Sequence, residues 1–263
     1  MHINKPSIPI LHAYLACPLT AAQLDRVHTE FEFGSCARFA PTHHLHIHNE
    51  PRYHGLCHAD IRRDLDEQGI TDNILILDEK VETDGAAWIV ERLVSQDDVD
   101  NGQAVSIHDV WEILTRIDQV SIVEVNYHIA NMSIQEDLRN CGLEWPYDPR
   151  AHPQTGIHSS GIDMQKFQYQ QIAYLVAEPG DYEEAPSSPA PEGSSRFMRL
   201  GGGQPPAKLH RLKPELATRH GLLPDWRPAS PAGAQYPDGS IGLSQPWNPD
   251  HDFPPYERLK ESL

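Results

Sequence analysis

The stretch Asn73-Ile74-Leu75-Ile76-Leu77-Asp78 decides the fold class of this 263-residue chain. Its apolar residues form an unbroken run between two polar ones, which is typical of a strand buried on both faces of a sheet. Strand and helix patterns alternate before it, and a hairpin pattern follows it. The sequence therefore predicts a sheet domain in which this strand is central.

The segments before this strand alternate between the two periodicities. Residues 10–16 are a short apolar run stopped by Pro18, and residues 43–49 alternate as a strand does. Thr20 is a good N-cap for a helix over 21–31, and Gly69 is a typical C-terminal glycine for a helix over 58–68. This order predicts strand, helix, strand and helix before the central strand.

The segments after it predict a hairpin and then more helix. Thr83-Asp84-Gly85 predicts a turn, with the returning strand over 86–93. A helical stripe runs from Ser106 to Ile117 and includes Trp111, while 120–125 is strand-like. Ser133-x-x-Glu136 is a capping box that opens a last short helix. The fold class is α/β or α+β, with one compact mixed-sheet domain and flanking helices.

The composition changes sharply near Trp145. Residues 1–145 contain 5 of the 23 prolines, and residues 146–263 contain the other 18. Because proline fixes φ and lacks a donor N–H, the second part cannot form long helices or central strands. We expect an acidic folded α/β domain over 1–145 and a Pro-rich, largely irregular extension over 146–263, partly packed on the domain and partly disordered. Gly201–Gly203 is interpreted as a hinge in this extension.

Charge and cysteine content restrict the function classes. The formal net charge is −17, and residues 1–145 carry 24 acidic and 10 basic side chains, a net −14. Such a domain repels phosphate backbones and anionic lipid, so we expect neither nucleic acid nor membrane as a partner. The four cysteines form no CxxC pair, and no apolar run reaches the length of a membrane-spanning helix. We expect a cytoplasmic protein with reduced thiols.

A histidine cluster is the candidate metal site. Six of the 16 histidines lie between His43 and His58. On a strand, His44, His46 and His48 face the same way, and neutral imidazoles suit zinc, copper, nickel or iron. His54, His58 and Asp60 could complete the site from the next segment. The alternative interpretation is a solvated sheet face that is rich in histidine. The cofactor is unknown, with a divalent transition metal as the candidate.

The segment over 73–137 resembles a domain-of-unknown-function family of short actinobacterial proteins and fungal proteins. The resemblance rests on Leu75-x-Leu77-Asp78-Glu79, on Asp84-Gly85, on the segment around Trp111, and on Glu-x-Asn-x-x-x-Ala-Asn-Met at Glu124, Asn126, Ala130, Asn131 and Met132. It covers about a quarter of the chain and implies a fold rather than a chemistry.

The last of these motifs has two interpretations. Asn131 can pin a tight turn between a strand and a capped helix. Alternatively, Glu124, Asn126 and Asn131 line a pocket at a strand end, with Glu124 and Asn126 projecting onto one face.

Three hypotheses of function follow. The leading one is a non-catalytic intracellular accessory protein, because the chain has no GxGxxG, Walker, GxSxG or HExxH motif. Support of a fungal specialised-metabolite pathway is one context for such a protein. The second is a metal-dependent enzyme of hydrolase or isomerase type that uses the His-x-His-x-His strand. The third is an adaptor whose Pro-rich tail binds a protein partner, which requires Trp226 and Trp247 to be exposed.

Overall fold

The computed structural model describes residues 1–189, 191–192 and 206–263. Within them the chain forms two units. One comprises Ile8–Met164 with Tyr256–Leu263, and the other comprises Met1–Ser7 with Gln165–Pro255. We call them the α/β unit and the β unit. The expected boundary at residue 145 falls inside the α/β unit, and the expected hinge at 201–203 lies outside the described residues.

The secondary structure alternates early in the chain and consists mainly of short strands later. The strands are β1 His2–Ile3, β2 Ile10–Leu15, β3 His44–His48, β4 Ile74–Leu77, β5 Ala86–Leu93, β6 Val110–Arg116, β7 Ile172–Ala177, β8 Tyr182–Pro186, β9 Lys208–Leu212, β10 Ser230–Pro231 and β11 Ile241–Pro246. The helices are α1 Ala21–Gly34, α2 His58–Glu67, α3 Lys80–Asp84, α4 Gln96–Asp100, α5 Ile117–His128, α6 Ile134–Asn140, α7 Met164–Gln168 and α8 Pro214–Arg219.

A five-stranded mixed sheet is the centre of the α/β unit. Its strand order is β3-β2-β4-β5-β6. β3, β2 and β4 are parallel, while β5 and β6 are antiparallel to their neighbours. Every residue of β4 is buried, as expected of a strand covered on both faces. The predicted fold class is confirmed.

Helices cover the two faces of this sheet unequally. Side chains of α1, α5 and α6 form one apolar core with one face of the strands. On the other face, α2 packs against β5 and β6 and shares a second core with them. Strands β2 and β3 contribute histidines to this second face, at His12 and His46. The candidate site lies on this part of the sheet.

Local signals in the sequence predicted several elements correctly. The Thr20 side chain accepts a hydrogen bond from Gln23 N, and the Gln23 side chain bonds back to the Thr20 N–H, which completes a capping box at α1. Ser133 and Glu136 form the same arrangement at α6. The strands predicted over 10–16, 43–49, 73–78 and 86–93 and the helix predicted over 58–68 are all present.

Two predicted elements have the wrong type. The stripe from Ser106 to Ile117 forms β6 rather than a helix, because a strand buried on both faces also places apolar residues at nearly every position. Val110 belongs to one core and Trp111 to the other. Residues 120–125 belong to α5 rather than to a strand. Their β-branched residues favour a strand, but the packing of α5 against α1 overrides this preference.

The β unit contains a four-stranded sheet and a two-stranded sheet. The strand order of the larger sheet is β1-β7-β11-β10, and β8 pairs with β9. Long segments without regular structure separate these short elements, as the proline content predicts. Trp226 is buried, and Trp247 is partly buried against the core of this unit. The adaptor hypothesis required both tryptophans to be exposed, and this requirement is not met.

Candidate metal centre

The pairing of β2 with β3 positions the candidate site. The two strands are parallel, and His12 lies opposite His46 in the register. Side chains alternate along each strand, so Leu11 and Ala13 enter the core on one face while His12 points to the other. Leu45 and Ile47 separate the β3 histidines in the same way. The two strands thus present their histidines on the same face.

Three imidazoles converge on this face. One ring nitrogen from each of His12, His46 and His48 lies within 4.8 Å of the others. His12 Nδ1 is 2.8 Å from His48 Nε2, so one proton joins these two rings. The ring centroids of His46 and His48 are 4.3 Å apart, and those of His12 and His48 are 5.0 Å apart. Among the histidine, cysteine and carboxylate side chains of the described residues, these three histidines have a spacing that suits a metal ion.

The sequence predicted two of these three residues. His46 and His48 belong to the cluster, whereas His44 Nδ1 lies 2.5 Å from Tyr256 Oη in a hydrogen bond. His12 was missed as a member of the cluster, because its position beside His46 depends on which strands pair and in which register. The available signal was the strand prediction for 10–16, which contains a histidine.

Two of the three residues expected to complete the site have other partners. His58 Nδ1 is 2.6 Å from Glu112 Oε2, beneath the start of α2. Asp60 accepts hydrogen bonds from Cys57 Sγ and Arg63 Nη1. His54 Nε2 is buried and has no hydrogen-bond partner among the described residues. The cluster thus consists of three imidazoles from two strands.

Two of the three imidazoles, those of His12 and His48, have lowered pKa values. Burial, followed by the neighbouring His46 and His12 imidazoles, lowers the pKa of His48 to about 4. Burial and then His46 also lower the pKa of His12. Neutral imidazole has a free lone pair, and it is the form that binds metal. At neutral pH, both rings are in the ligand form.

Neighbouring groups orient two of the rings. The Tyr14 ring stacks on His48, with centroids 4.4 Å apart and an interplanar angle of 3°. His46 Nε2 is 3.2 Å from the backbone oxygen of Glu261. Metal-binding histidines usually donate their second ring N–H to a carbonyl or carboxylate, which fixes the tautomer and the ring orientation. Glu261 provides such an acceptor for His46.

The segment Tyr256–Leu263 holds this edge of the sheet. Ile47 N donates to Ser262 Oγ at 2.9 Å, and Leu263 N donates to Ile47 O at 3.1 Å. His28 Nε2 is 2.7 Å from Leu263 O. Because β3 is an edge strand, these contacts pair backbone groups that water would otherwise solvate. They also bring Glu261 next to His46.

A second group of ionisable side chains lies at the carboxyl end of β4. His58 Nε2 is 3.8 Å from Asp78 Oδ2, and Trp88 Nε1 donates to the same oxygen at 2.9 Å. Burial lowers the pKa of His58, but the charges of Glu112 and Asp78 outweigh burial, and the net pKa is raised. The raised pKa of His58 contrasts with the lowered pKa values of His12 and His48 in the histidine cluster.

The predicted pocket residues separate into two groups. Glu124 lies on α5 and lines a cavity with Asn73, whose Nδ2 donates to Glu124 Oε1 at 2.8 Å. Asn131 Nδ2 donates to Asn126 Oδ1 at 3.2 Å, and Asn131 N donates to Asn126 O. These two asparagines close the turn after α5, where Ala130 has a φ of 54°. Glu124 and Asn126 do not share a face, because this segment is a helix and not a strand.

Comparisons with known proteins provide no relative. No protein family matches the chain, and searches of curated proteins and of solved structures found no similar protein. The resemblance over 73–137 stays a prediction. In the part of the chain that the structure describes, no helix is both long enough and apolar enough to cross a membrane.

Proposed function

We propose that the protein binds a divalent transition-metal ion, with zinc as the best match, through His12, His46 and His48. The observation that carries this proposal is the convergence of three imidazole nitrogens within 4.8 Å on neighbouring strands. Zinc sites with three histidine ligands and one open position are a common catalytic arrangement. The proposal retains the predicted metal site, with His12 in place of His44.

The distances suit an ion after small ring rotations. Tetrahedral zinc with Zn–N bonds of about 2.0–2.1 Å separates its ligand nitrogens by about 3.3 Å. The His12 and His48 nitrogens, now 2.8 Å apart, need to separate by about half an ångström. The proton between them must move to the other nitrogen of its own ring when the ion binds, because both lone pairs must face the ion.

The open position supports a reaction of hydrolase or isomerase type. A zinc-bound water is acidic enough to supply hydroxide near neutral pH. Glu50 and Asp72 are close enough to affect the pKa values of His48 and His12, respectively. Both carboxylates add negative charge near the cluster, which favours a bound cation. A metal-dependent enzyme is thus favoured over an accessory protein without a catalytic site.

Elemental analysis of untagged protein tests this proposal. We expect about one mole of zinc, or of another divalent transition metal, per chain after dialysis against metal-free buffer, as a three-histidine site predicts. His12→Ala and His48→Ala should each remove the metal. His44→Ala is the matched control, because His44 lies on the same face of β3 but is bonded to Tyr256. This variant should keep the metal.

Two results would contradict the proposal. One is a metal-free protein that takes up no zinc, nickel, copper or iron when these ions are added. The other is metal that persists in the His12→Ala and His48→Ala variants, which would place the ion elsewhere. Circular dichroism of each variant shows whether a loss of metal reflects a loss of fold.

A further inference from the structure

A cavity of about 620 Å³ lies at the amino-terminal ends of β2 and β4. Its walls come from the starts of these strands, from the last turn of α5 and from the start of α6. All its lining residues belong to the α/β unit. Volumes of this size are typical of small-molecule sites. None of its lining residues is a ligand in the candidate metal centre.

Glu124 is the polar side chain at the base of this cavity. It is 7% exposed, and Asn73 Nδ2 occupies its Oε1 atom. Its second oxygen, Oε2, is buried and has no hydrogen-bond partner among the described residues. A buried carboxylate oxygen without a partner destabilises the fold, since folding removes its hydrogen bonds to water and no protein donor replaces them. This oxygen is therefore available to a hydrogen-bond donor that enters the cavity.

The charges around the cavity favour a cation. Asp72, Glu91 and Glu136 line it together with Glu124, and the lining contains neither lysine nor arginine. Burial and then the neighbouring His128 lower the pKa of the lining His43 to about 4, so this ring is neutral at neutral pH. Close carboxylates without a cation repel one another. A positively charged donor relieves both this repulsion and the unpaired oxygen.

Part of the wall is aliphatic. The apolar lining residues are Pro9, Ile10, Leu11, Val125, Ile129, Ala130, Met132 and Ile134. Two of them, Ile10 and Ile129, are 46% and 63% exposed. Exposed aliphatic groups next to a charged base are suited to a ligand with one polar end and an apolar body.

We propose that this cavity binds a small aliphatic primary amine in its ammonium form. The ammonium group donates a hydrogen bond to Glu124 Oε2, and the hydrocarbon lies along the wall formed by Ile10, Val125 and Ile129. A bare metal ion is a poorer match, because Asn73 already occupies the other Glu124 oxygen and aliphatic side chains form part of the wall. The site is independent of the proposed metal centre.

The pKa of Glu124 gives this binding a defined pH dependence. The pKa of Glu124 is raised to about 7: burial is the main cause, the hydrogen bond from Asn73 opposes it, and the charges of Glu91 and Asp72 add to it. An ammonium ion binds the ionised carboxylate, so binding should weaken by about tenfold for each pH unit below 7. The other titratable groups that line the cavity are His43, Asp72, Glu91, Tyr127, His128 and Glu136.

Isothermal titration with n-hexylamine at pH 8 tests the proposal. At this pH, Glu124 is mostly ionised and the amine is protonated. We expect saturable binding at one site per chain, and no binding of 1-hexanol or hexanoate, which match the chain length without the positive charge. Absence of hexylamine binding, or equal binding of hexanol, would overturn the proposal.

Two variants assign the binding to one oxygen. Glu124→Gln keeps the shape and an acceptor for Asn73 but removes the charge, and it should weaken hexylamine binding by about tenfold or more. Asp72→Asn removes one exposed charge at the same cavity and should weaken binding by less than about threefold. Equal losses in the two variants would indicate diffuse attraction by the acidic rim and would overturn the role of Glu124.

A measurement on the unmodified protein covers the case in which Glu124→Gln does not fold. Carboxyl ¹³C NMR should show a glutamate that titrates near pH 7 in the free protein. This pKa should fall when hexylamine is present, because the ammonium stabilises the ionised form. An unchanged pKa at saturating hexylamine would overturn the proposal. A failure of metal binding at His12 would leave all these results unaffected.

Discussion

His12 and His48 are 36 positions apart in the sequence, yet His12 Nδ1 lies 2.8 Å from His48 Nε2. The parallel pairing of β2 and β3 creates this contact, since His12 lies opposite His46 and therefore beside His48. Two neutral rings that share a hydrogen bond, together with the third imidazole of His46, form an arrangement that a metal ion can stabilise.

Zinc should stabilise the fold through this cluster. At a free zinc concentration 100 times Kd, the free energy of unfolding should rise by about 2.7 kcal/mol. Thermal unfolding with and without zinc measures the effect. His12→Ala should abolish it, whereas His44→Ala should keep it because His44 bonds Tyr256. Equal stabilisation of both variants would show that zinc acts at another place.

Gly34 permits the close packing of α1 on α5. A Cβ atom at this position would overlap the backbone carbonyl of Asp118. Gly34→Ala should therefore reduce the free energy of unfolding by about 1–3 kcal/mol, since neither backbone can move without disturbing the core. Gly156→Ala is the control, because no atom lies within 4 Å of its added Cβ. Urea unfolding of both variants should show a loss for Gly34→Ala alone.

Asp98 is a buried junction between α4 and β6. It accepts hydrogen bonds from Arg92 Nη1 at 2.6 Å, from Ser95 N at 2.8 Å and from Trp111 Nε1 at 3.3 Å. Asp98→Ala should lower the free energy of unfolding by about 2–3 kcal/mol at pH 7, because it removes a cap and leaves the buried indole N–H unpaired. Asp97→Ala, on the exposed side of α4, should cost less than about 0.5 kcal/mol. Equal losses would contradict this role.

His58 should make the fold less stable as the pH rises. Its folded pKa lies above the unfolded value of 6.5, because the charges of Glu112 and Asp78 outweigh burial. Its ion pair therefore contributes fully below pH 6.5, and this contribution is lost as the pH rises through the folded pKa. Urea unfolding between pH 6 and pH 9 should show this decline in the unmodified protein.

The variant His58→Gln isolates this contribution, because glutamine cannot be protonated. The difference in the free energy of unfolding between the two proteins should shrink across this pH range. Glu124 also has a raised pKa, but it is present in both proteins and cancels in the difference. A difference that is constant with pH would show that His58 is not charged in the folded protein.

Local sequence signals predicted a large part of the α/β unit. The buried run of β4, the capping boxes at Thr20 and Ser133 and the alternation of His46 with Ile47 each depend on neighbouring residues only. Such signals remain valid whatever the rest of the chain does. The same signals failed for β6, because a strand covered on both faces and an amphipathic helix can share one apolar pattern.

The candidate sites were predicted only in part for the same reason. His46 and His48 share a face by strand periodicity alone, and the sequence shows this directly. His12 belongs to the cluster because of strand pairing. His44 does not belong to it, because it bonds Tyr256, which lies more than 200 residues away in the sequence. Glu124 was predicted as a pocket residue on a strand, but it reaches its cavity from a helix.

The sequence by itself determined the conformations of β2 to β5, α1 and α2, the acidic and Pro-rich division of the composition, and the phase in which side chains alternate along β2 and β3. These features follow from backbone sterics and from the burial of nearby apolar groups. The tertiary structure alone decided which histidines lie together, which carboxylate oxygen is buried without a hydrogen-bond partner and which chain segment covers the β3 edge. Contacts between distant residues depend on strand order and register, and these are set by the packing of the whole unit.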